Sequence, residues 1–361
     1  MKNIIKITLV MLGLVSFGTA NAGELTVTGA AKASYVIVSS DSASGASESQ
    51  PGLGVSNEFN LTANGELENG YTWKYFINVD GDTTQDDGGL SITTPMGAIA
   101  VNVSTGGLEL SKAAAITATG DRGSDSGYAE NMAEEFSIGD MTNIQYHTAA
   151  DMLPYGIAIK VAYAPDTAAG ANKSKNSTGA ATPNTAGEMF TATTDTGAVT
   201  QTANMGQDMT SYQVKAEPVT GLNIGASYSE YSMDSSVATQ PEAGSWYAKY
   251  ETGPIEIAYG RSYVSYATKT TAALYDEALG QKMGIGYTIN EDLSVSYTQE
   301  KSETSHMLAT TADVEMKVTQ IAAAYTMGGM TLALSQNSYD NVSYTADKDV
   351  QSYVFNVAMA F

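Results

Sequence analysis

The ten residues from Ser352 to Phe361 read SYVFNVAMAF. Tyr353, Phe355, Val357, Met359 and Phe361 share one parity, and Ser352, Val354, Asn356, Ala358 and Ala360 share the other. A period of two means an extended strand with one apolar and one mostly small or polar face. An aromatic at the last position is unlike the frayed polar tail on which most domains end.

The same alternation recurs far from this stretch. In LTVTGAAKASYVIV, Leu25, Val27, Ala31, Ala33, Tyr35 and Ile37 fall on one face. In VSNEFNLTANGEL, Val55, Phe59, Leu61 and Ala63 oppose Ser56, Glu58, Asn60 and Thr62. YTWKYFINVD sets Tyr71, Trp73, Tyr75, Ile77 and Val79 against Thr72, Lys74, Asn78 and Asp80. Short turns rich in Gly, Pro, Asn and Asp stand at Glu68–Gly70, Thr94–Gly97, Ala150–Gly156, Pro218–Gly221, Thr252–Pro254, Asn290–Asp292 and Met327–Met330. Long polar segments separate them: about 39–54, 81–88, 105–140, 165–208, 232–244, 267–280, 302–313 and 340–349. Short and long connections in alternation predict about 16 strands, an all-β fold with an even strand number.

The N-terminus sets the compartment. MKNIIKITLVMLGLVSFGTANAGEL has a cationic start, an apolar run and Ala20-Asn21-Ala22, the build of a secretory signal peptide cleaved after Ala22. An uncleaved anchor is the alternative, although the run is short for a membrane span. Residues 1–22 are read as the leader and 23–361 as the exported domain. Without Lys2 and Lys6 that domain carries 15 basic against 39 acidic residues, a net charge of −24. So acidic a surface excludes nucleic acid as a partner. There is no cysteine, so no disulfide braces the chain. After the leader no apolar run approaches helix-spanning length. Hydropathy is blind, however, to a transmembrane antiparallel β-barrel, which crosses lipid with alternating strands and must close to leave no bare edge. In such a barrel the last strand is a wall stave pairing with the first. The 22 Tyr against 7 Phe suit rings at the two interfaces.

Several stretches resemble a known family, the trimeric general porins of Gram-negative outer membranes, particularly the alphaproteobacterial type. GELTVTGAAKASYVI is similar to the family's first strand, and GGLSITTPMGAIAVNV (Gly88–Val103) to its fourth strand, tight turn and fifth strand. NIQYHTAADMLPYGIAIKVAYAP (Asn143–Pro165) resembles the following hairpin. Tyr353, Phe355 and Phe361 resemble the C-terminal signal read by the barrel-assembly machinery. Asn102 stands where many relatives carry an arginine facing the pore, and Met359 where an aromatic is common. The resemblance implies an outer-membrane homotrimer with short periplasmic turns and long extracellular loops. It implies contact with lipid and lipopolysaccharide, periplasmic chaperones during biogenesis, and a water-filled channel for passive diffusion of ions and small hydrophilic solutes.

It also implies that the third long segment, 105–140, folds into the barrel and narrows it; an exposed acidic loop is the alternative. That segment holds Glu109, Asp121, Asp125, Glu130, Glu134, Glu135 and Asp140 against Lys112 and Arg122. Asp121, Asp125, Glu130, Glu134 and Glu135 are the candidate constriction residues, and their charge predicts cation preference. Tyr128–Phe136 reads as a helical turn capped by Ser126. Lys32, Glu58 and Lys74 are the candidate wall residues, because they lie in the strands nearest this loop in the resembled fold. By parity Lys160, Lys215, Lys249, Lys282, Glu217, Glu251, Glu256 and Glu300 share the polar face, whereas Arg261 and Lys317 break the pattern.

The segment 165–208, rich in Thr, Ala, Gly, Asn and Ser, reads as a flexible extracellular loop that caps a neighbouring subunit, meets lipopolysaccharide or is simply mobile. No cofactor and no buried metal site is expected. Asp80–Gly89 has calcium-like oxygen spacing but lacks the bidentate Glu of an EF-hand, and leaves a surface Ca²⁺ as an open alternative. Two histidines, His147 and His306, and a Ser126 without a Gly-rich oxyanion turn do not make an enzyme. A loop-plugged structural or receptor barrel remains the competing reading.

Overall fold

The computed structural model describes residues 23–40, 52–80, 87–126, 128–129, 132–165, 208–232, 240–265, 275–306 and 313–360. The leader, most of Asp80–Gly89, Glu130, residues 166–207 and Phe361 lie outside them. The first eight strands are β1 (Leu25–Ser40), β2 (Gly52–Glu66), β3 (Thr72–Asp80), β4 (Gly88–Thr94), β5 (Gly97–Val103), β6 (Asn143–Thr148), β7 (Ala158–Ala164) and β8 (Asp208–Val219). The second eight are β9 (Leu222–Ser232), β10 (Glu242–Thr252), β11 (Ile255–Ser265), β12 (Tyr275–Thr288), β13 (Leu293–His306), β14 (Glu315–Met327), β15 (Met330–Asp340) and β16 (Val350–Ala360).

Each strand pairs antiparallel with its sequence neighbours, and β1 pairs with β16, so the 16 strands form one closed barrel. The seam runs from Ala30 opposite Ala360 to Ser40 opposite Val350. Closure satisfies the ladder of every stave, which matters most where no water can substitute.

Side-chain alternation sorts the two faces. Tyr35, Ile37, Leu53, Val55, Phe59, Tyr75, Ile257, Ile285, Leu334, Tyr353 and Phe355 are exposed on the outside. Ser227, Ser245, Ser262, Thr298, Gln320, Asn337 and Asn356 are buried on the inside. A barrel with an apolar exterior and a polar interior is inverted relative to a soluble one. Arg261 lies opposite the outward Trp246, and Lys317 opposite Lys301; both point outward, which explains why they broke the inward pattern. Near the long-loop ends of β13–β15 the outside carries the ion pairs Lys301–Glu315 (2.8 Å) and Lys317–Asp340 (2.5 Å).

Strands also run further than the hydrophobic signal. β13 reaches His306 and β12 starts at Tyr275, inside stretches read as loop. Above the apolar band the outward residues turn polar, so the pattern stops while the hydrogen-bonded ladder continues.

Candidate functional site: a braced loop and a bare wall

The segment between β5 and β6 lies inside the barrel. It runs out along the wall from Gly107 to Asp121 and turns through a single 3-10 turn at Gly123–Asp125. It then returns to a second 3-10 turn at Ile138–Asp140. Ten consecutive staves hold it. Gln213 of β8 donates to the Leu108 carbonyl at 2.8 Å. Ser262 of β11 donates to Ala133 O at 3.1 Å. The loop's Ala118 and Ala133 amides donate to Ser296 (2.8 Å) and Ser302 (2.7 Å) of β13. Gln320 of β14 donates to Asp121 O at 3.0 Å, Tyr339 of β15 to Gly123 O at 3.1 Å, and Asn356 of β16 to the Asp121 carboxylate at 2.9 Å. Lys32 of β1 closes the series on Asp121 at 2.8 Å. The sites on β9, β10 and β12 follow below.

Two apolar clusters seat the ends of this arc. Leu108, Ile138 and Met141 pack on Ala162, Ala164 and Met209 at its root. Ala129 and Met132 pack on Met316, Val318, Tyr339 and Val350 near its tip. No helix forms over Tyr128–Phe136 in the described residues, contrary to the helical-turn expectation. The peptide groups of Ala133 go to wall serines instead of to partners one turn away.

The candidate constriction residues are distributed along this brace. Glu135, 7% exposed, accepts from the Leu110 and Ser111 amides at 2.7 and 3.0 Å. It also accepts from the hydroxyls of Ser227 on β9 (2.7 Å) and Ser245 on β10 (2.7 Å). Glu134 meets Lys112 at 2.8 Å, Lys282 of β12 at 3.1 Å and Arg122 at 3.2 Å. Lys282 is also 2.7 Å from Glu300 of β13, and this pair is almost wholly buried. Burial opposes ionisation of Glu134, but the three cations outweigh it and hold its carboxyl down at about 2. Asp125 pairs with Arg122, and burial competes with the facing carboxylates of Glu134, Glu300 and Asp125, which raise the guanidinium's pKa. Asp121 is taken by Lys32 and Asn356. The carboxylates at 121, 125, 134 and 135 are therefore engaged in fastening the loop, and Glu130 lies outside the described residues. Glu109 and Asp140 differ: burial raises both carboxyls, Glu109 against hydrogen bonds from its own backbone and Ser137, Asp140 against Lys112.

Glycine makes the close fit possible. A Cβ on Gly284 would stand 2.8 Å from Ile116, and one on Gly280 2.9 Å from the Ala133 carbonyl. Both lie below the van der Waals limit, so the loop lies flat only because this stave is bare. Gly280, Gly284 and Gly286 share the parity of Lys282, a signal readable in GQKMGIGY but absent from the candidate list. Ser227 and Ser245, which receive Glu135, gave no sequence signal beyond their parity.

The opposite wall is uncovered. Lys74 and Phe76 of β3, with the ammonium 5.6 Å from the ring centroid, and Glu58 of β2, which accepts from Asn60 (2.7 Å) and Asn78 (2.8 Å), project inward. Asn102 is buried at the loop's root, 3.4 Å from Asn143. His147 contacts Gln145 at 2.7 Å, not a serine. His306 ends β13 rather than sitting in a loop.

Neither protein-family models nor curated protein sequences match this chain. Solved structures do. An anion-selective porin from Comamonas acidovorans superposes with a TM-score of 0.62 at 11% identity, covering 94% of this chain and 100% of its own. The fold is a porin fold. OmpF of Salmonella typhi, in complex with daunomycin, gives 0.60 at 13% identity over 94% of this chain and 98% of its own. The trimer form of in-vitro folded OmpT, an outer membrane protein of Vibrio cholerae, gives 0.58 at 10%, over 94% and 100%. At such identities the porin likeness concerns the course of the chain and not its chemistry.

Proposed function

We propose that the protein is an outer-membrane porin, a water-filled channel for passive diffusion of ions and small hydrophilic solutes. The observation that carries this reading is asymmetric filling: the inner loop is rooted on β6 and β7 and fastened to β8–β16 and to Lys32 of β1, while β2 and β3 keep Glu58 and Lys74 facing a part of the lumen that it does not cover. A 16-strand barrel is wide enough for an aqueous path beside one such ribbon. Its apolar exterior supports placement in a bilayer, with residues 1–22 as the export leader. Purified protein added to a planar bilayer should give stepwise ohmic conductance. Complete absence of steps would favour the loop-plugged structural or receptor barrel.

Cation preference is part of the proposal, with its carriers moved. Of the acids of the inner loop, Asp121, Asp125 and Glu134 are paired with cations, and Glu135 is buried under neutral donors. The preference then rests on Glu58, Glu109, Asp140 and Glu251 and on the exported domain's charge of −24, from 15 basic and 39 acidic residues, against Lys74, Lys160 and Lys215. The zero-current potential under a KCl gradient measures it, and a chloride-selective sign refutes it. We further propose a homotrimer built on β1, β2 and β16, where outward Gly29, Ala31, Ala33 and Ala63 allow close approach of neighbouring walls. Native mass spectrometry tests that assembly. The barrel-assembly machinery reading Tyr353, Phe355 and Phe361, periplasmic chaperones and lipopolysaccharide are the partners this role implies. A surface Ca²⁺ at Asp80–Gly89 remains a proposal to be tested by calcium titration.

A further inference from the structure

Residues 341–349 join β15 to β16 and do not stand clear of the barrel. Val342 is buried, and with Tyr344 it joins the apolar cluster that holds Ala129 and Met132 of the inner loop. In the same cluster Tyr128 of the inner loop meets Tyr339 of β15, with ring centroids 5.4 Å apart and planes tilted by 49°.

The backbone bends sharply to reach this place. Asn341, Ser343, Tyr344 and Asp347 have φ of 57°, 56°, 54° and 61°. Asn and Asp tolerate a left-handed backbone, whereas Ser and Tyr adopt it at a cost. Such a cost persists only where the surroundings over-determine the conformation. Asn341 supplies much of that hold. Its Nδ2 donates to the Glu315 carbonyl at 2.8 Å, its Oδ1 accepts from the Asp347 amide at 3.1 Å, and its own amide donates to Asp349 Oδ1 at 3.1 Å. The Val342 amide closes the turn on the Lys348 carbonyl at 2.8 Å.

The turn delivers a hydroxyl to the wall. Tyr344 Oη lies 2.7 Å from Ser302 Oγ of β13, and Ser302 is buried. The same oxygen accepts from the Ala133 amide at 2.7 Å, and the Ala133 carbonyl accepts from Ser262. A serine hydroxyl has two lone pairs, enough to take both donors. One side chain of β13 thus joins an outer loop to the inner one. The joint stands directly before Glu134 and Glu135, whose carboxylates hold the returning arm to β12, β9 and β10. A phenylalanine at 344 would fill the apolar cluster equally well, so packing does not account for the hydroxyl.

We infer that Tyr344 is a positioning residue for the constriction: residues 341–349 form a strap that fixes the inner loop's tip through Ser302. The long-loop rim of the barrel then sets how firmly the constriction is held. The effect on current rests on the channel reading; the effect on the loop does not.

The chain has no cysteine, so Ala129→Cys places a single thiol at a buried position of the tip. Its rate of maleimide labelling in detergent reports how often the tip lifts. Adding Tyr344→Phe should raise that rate about fivefold, the loss of one hydrogen bond. Ser302→Ala should also raise it, and Tyr344→Phe placed on top of Ser302→Ala should add less than about twofold. Ala346→Ser, at an exposed position of the strap, should leave the rate unchanged. If Ala129→Cys gives no heat-modifiable protein, cleavage within residues 107–139 by limited proteolysis should rank the other variants in the same order. In a bilayer, Tyr344→Phe should add open-channel noise and Ala346→Ser none. Native loop exposure in Tyr344→Phe, or an equal rise with and without Ser302, overturns the strap and leaves the channel standing. Coupled exposure with native noise in a conducting protein overturns the link to the constriction. Coupled exposure without conductance overturns the channel and leaves the strap standing.

Discussion

Replacing Glu135 by alanine should loosen the constriction while leaving the barrel intact. Glu135 accepts four hydrogen bonds of 2.7 to 3.0 Å, from the Leu110 and Ser111 amides and the Ser227 and Ser245 hydroxyls. A bond to a charged acceptor contributes about 1.5–3 kcal/mol when its partner is buried. Water in the lumen will rehydrate some of the donors, so about half of the gross sum, near 3–6 kcal/mol, is a fair local effect. Every 1.4 kcal/mol is tenfold, so the population with the loop's middle detached rises by at least about a hundredfold. The wall itself loses no ladder hydrogen bond, and the clusters at the loop's two ends remain. The assay is single-channel recording of Glu135→Ala beside the native protein, with limited proteolysis in detergent as a second readout. Excess open-channel noise, a broadened conductance distribution and new cleavage within residues 107–139 are expected. A native conductance histogram together with a protease-resistant loop would show that this carboxylate does not hold the constriction.

The acid limb is informative. Because the Glu134 carboxyl is held at about 2, its contribution to loop fastening is full above its ordinary value near 4.5 and fades as pH falls from there toward 2. Glu109 and Asp140, with raised carboxyls, lose charge first; zero-current potentials should show cation preference falling above the pH at which noise rises. Gly284→Val should overpack Ile116 by about 1–3 kcal/mol and shift the conductance, whereas Gly329→Val, with nothing within 4 Å of its Cβ, should not; equal conductance in both variants would refute the glycine track. Deleting Phe361 should lower the yield of heat-modifiable protein in outer-membrane fractions, and undiminished yield would remove it from assembly.

Much of the architecture was legible because a wall stave has two unlike solvents. Tyr353, Phe355 and Met359 against Ser352 and Asn356 could only alternate, and the pairing of the first and last strands followed from the need to close. Inward placement of Lys32, Glu58, Lys74 and Lys282 came from the same parity. The inner loop was legible in place but not in conformation. Its acids looked like free charge because a sequence shows no partners. Lys282, Ser227 and Ser245 lie more than ninety residues downstream of Glu135 or its neighbour, and only the fold brings them across the lumen. Among the described residues the expected helical turn is missing for a related reason: the Ala133 amide and carbonyl bond to Ser302 and Ser262 of the wall.

The seam between β1 and β16 has a consequence for how the molecule comes into being. Ala30 pairs with Ala360, so the final ladder joins residues 330 positions apart, among the longest-range contacts a chain of 361 residues can make. Bringing such distant ends together carries an entropic term of about 5 kcal/mol that grows only slowly with length. Eleven register pairs, from Ala30–Ala360 to Ser40–Val350, repay it together, and none repays it early. Until then a nearly finished sheet has two open edges and an apolar flank, the combination most prone to mispairing. High contact order therefore makes the route, more than the end state, the vulnerable part of this protein. Mutations at the seam should surface as lost yield long before they register as lost thermal stability.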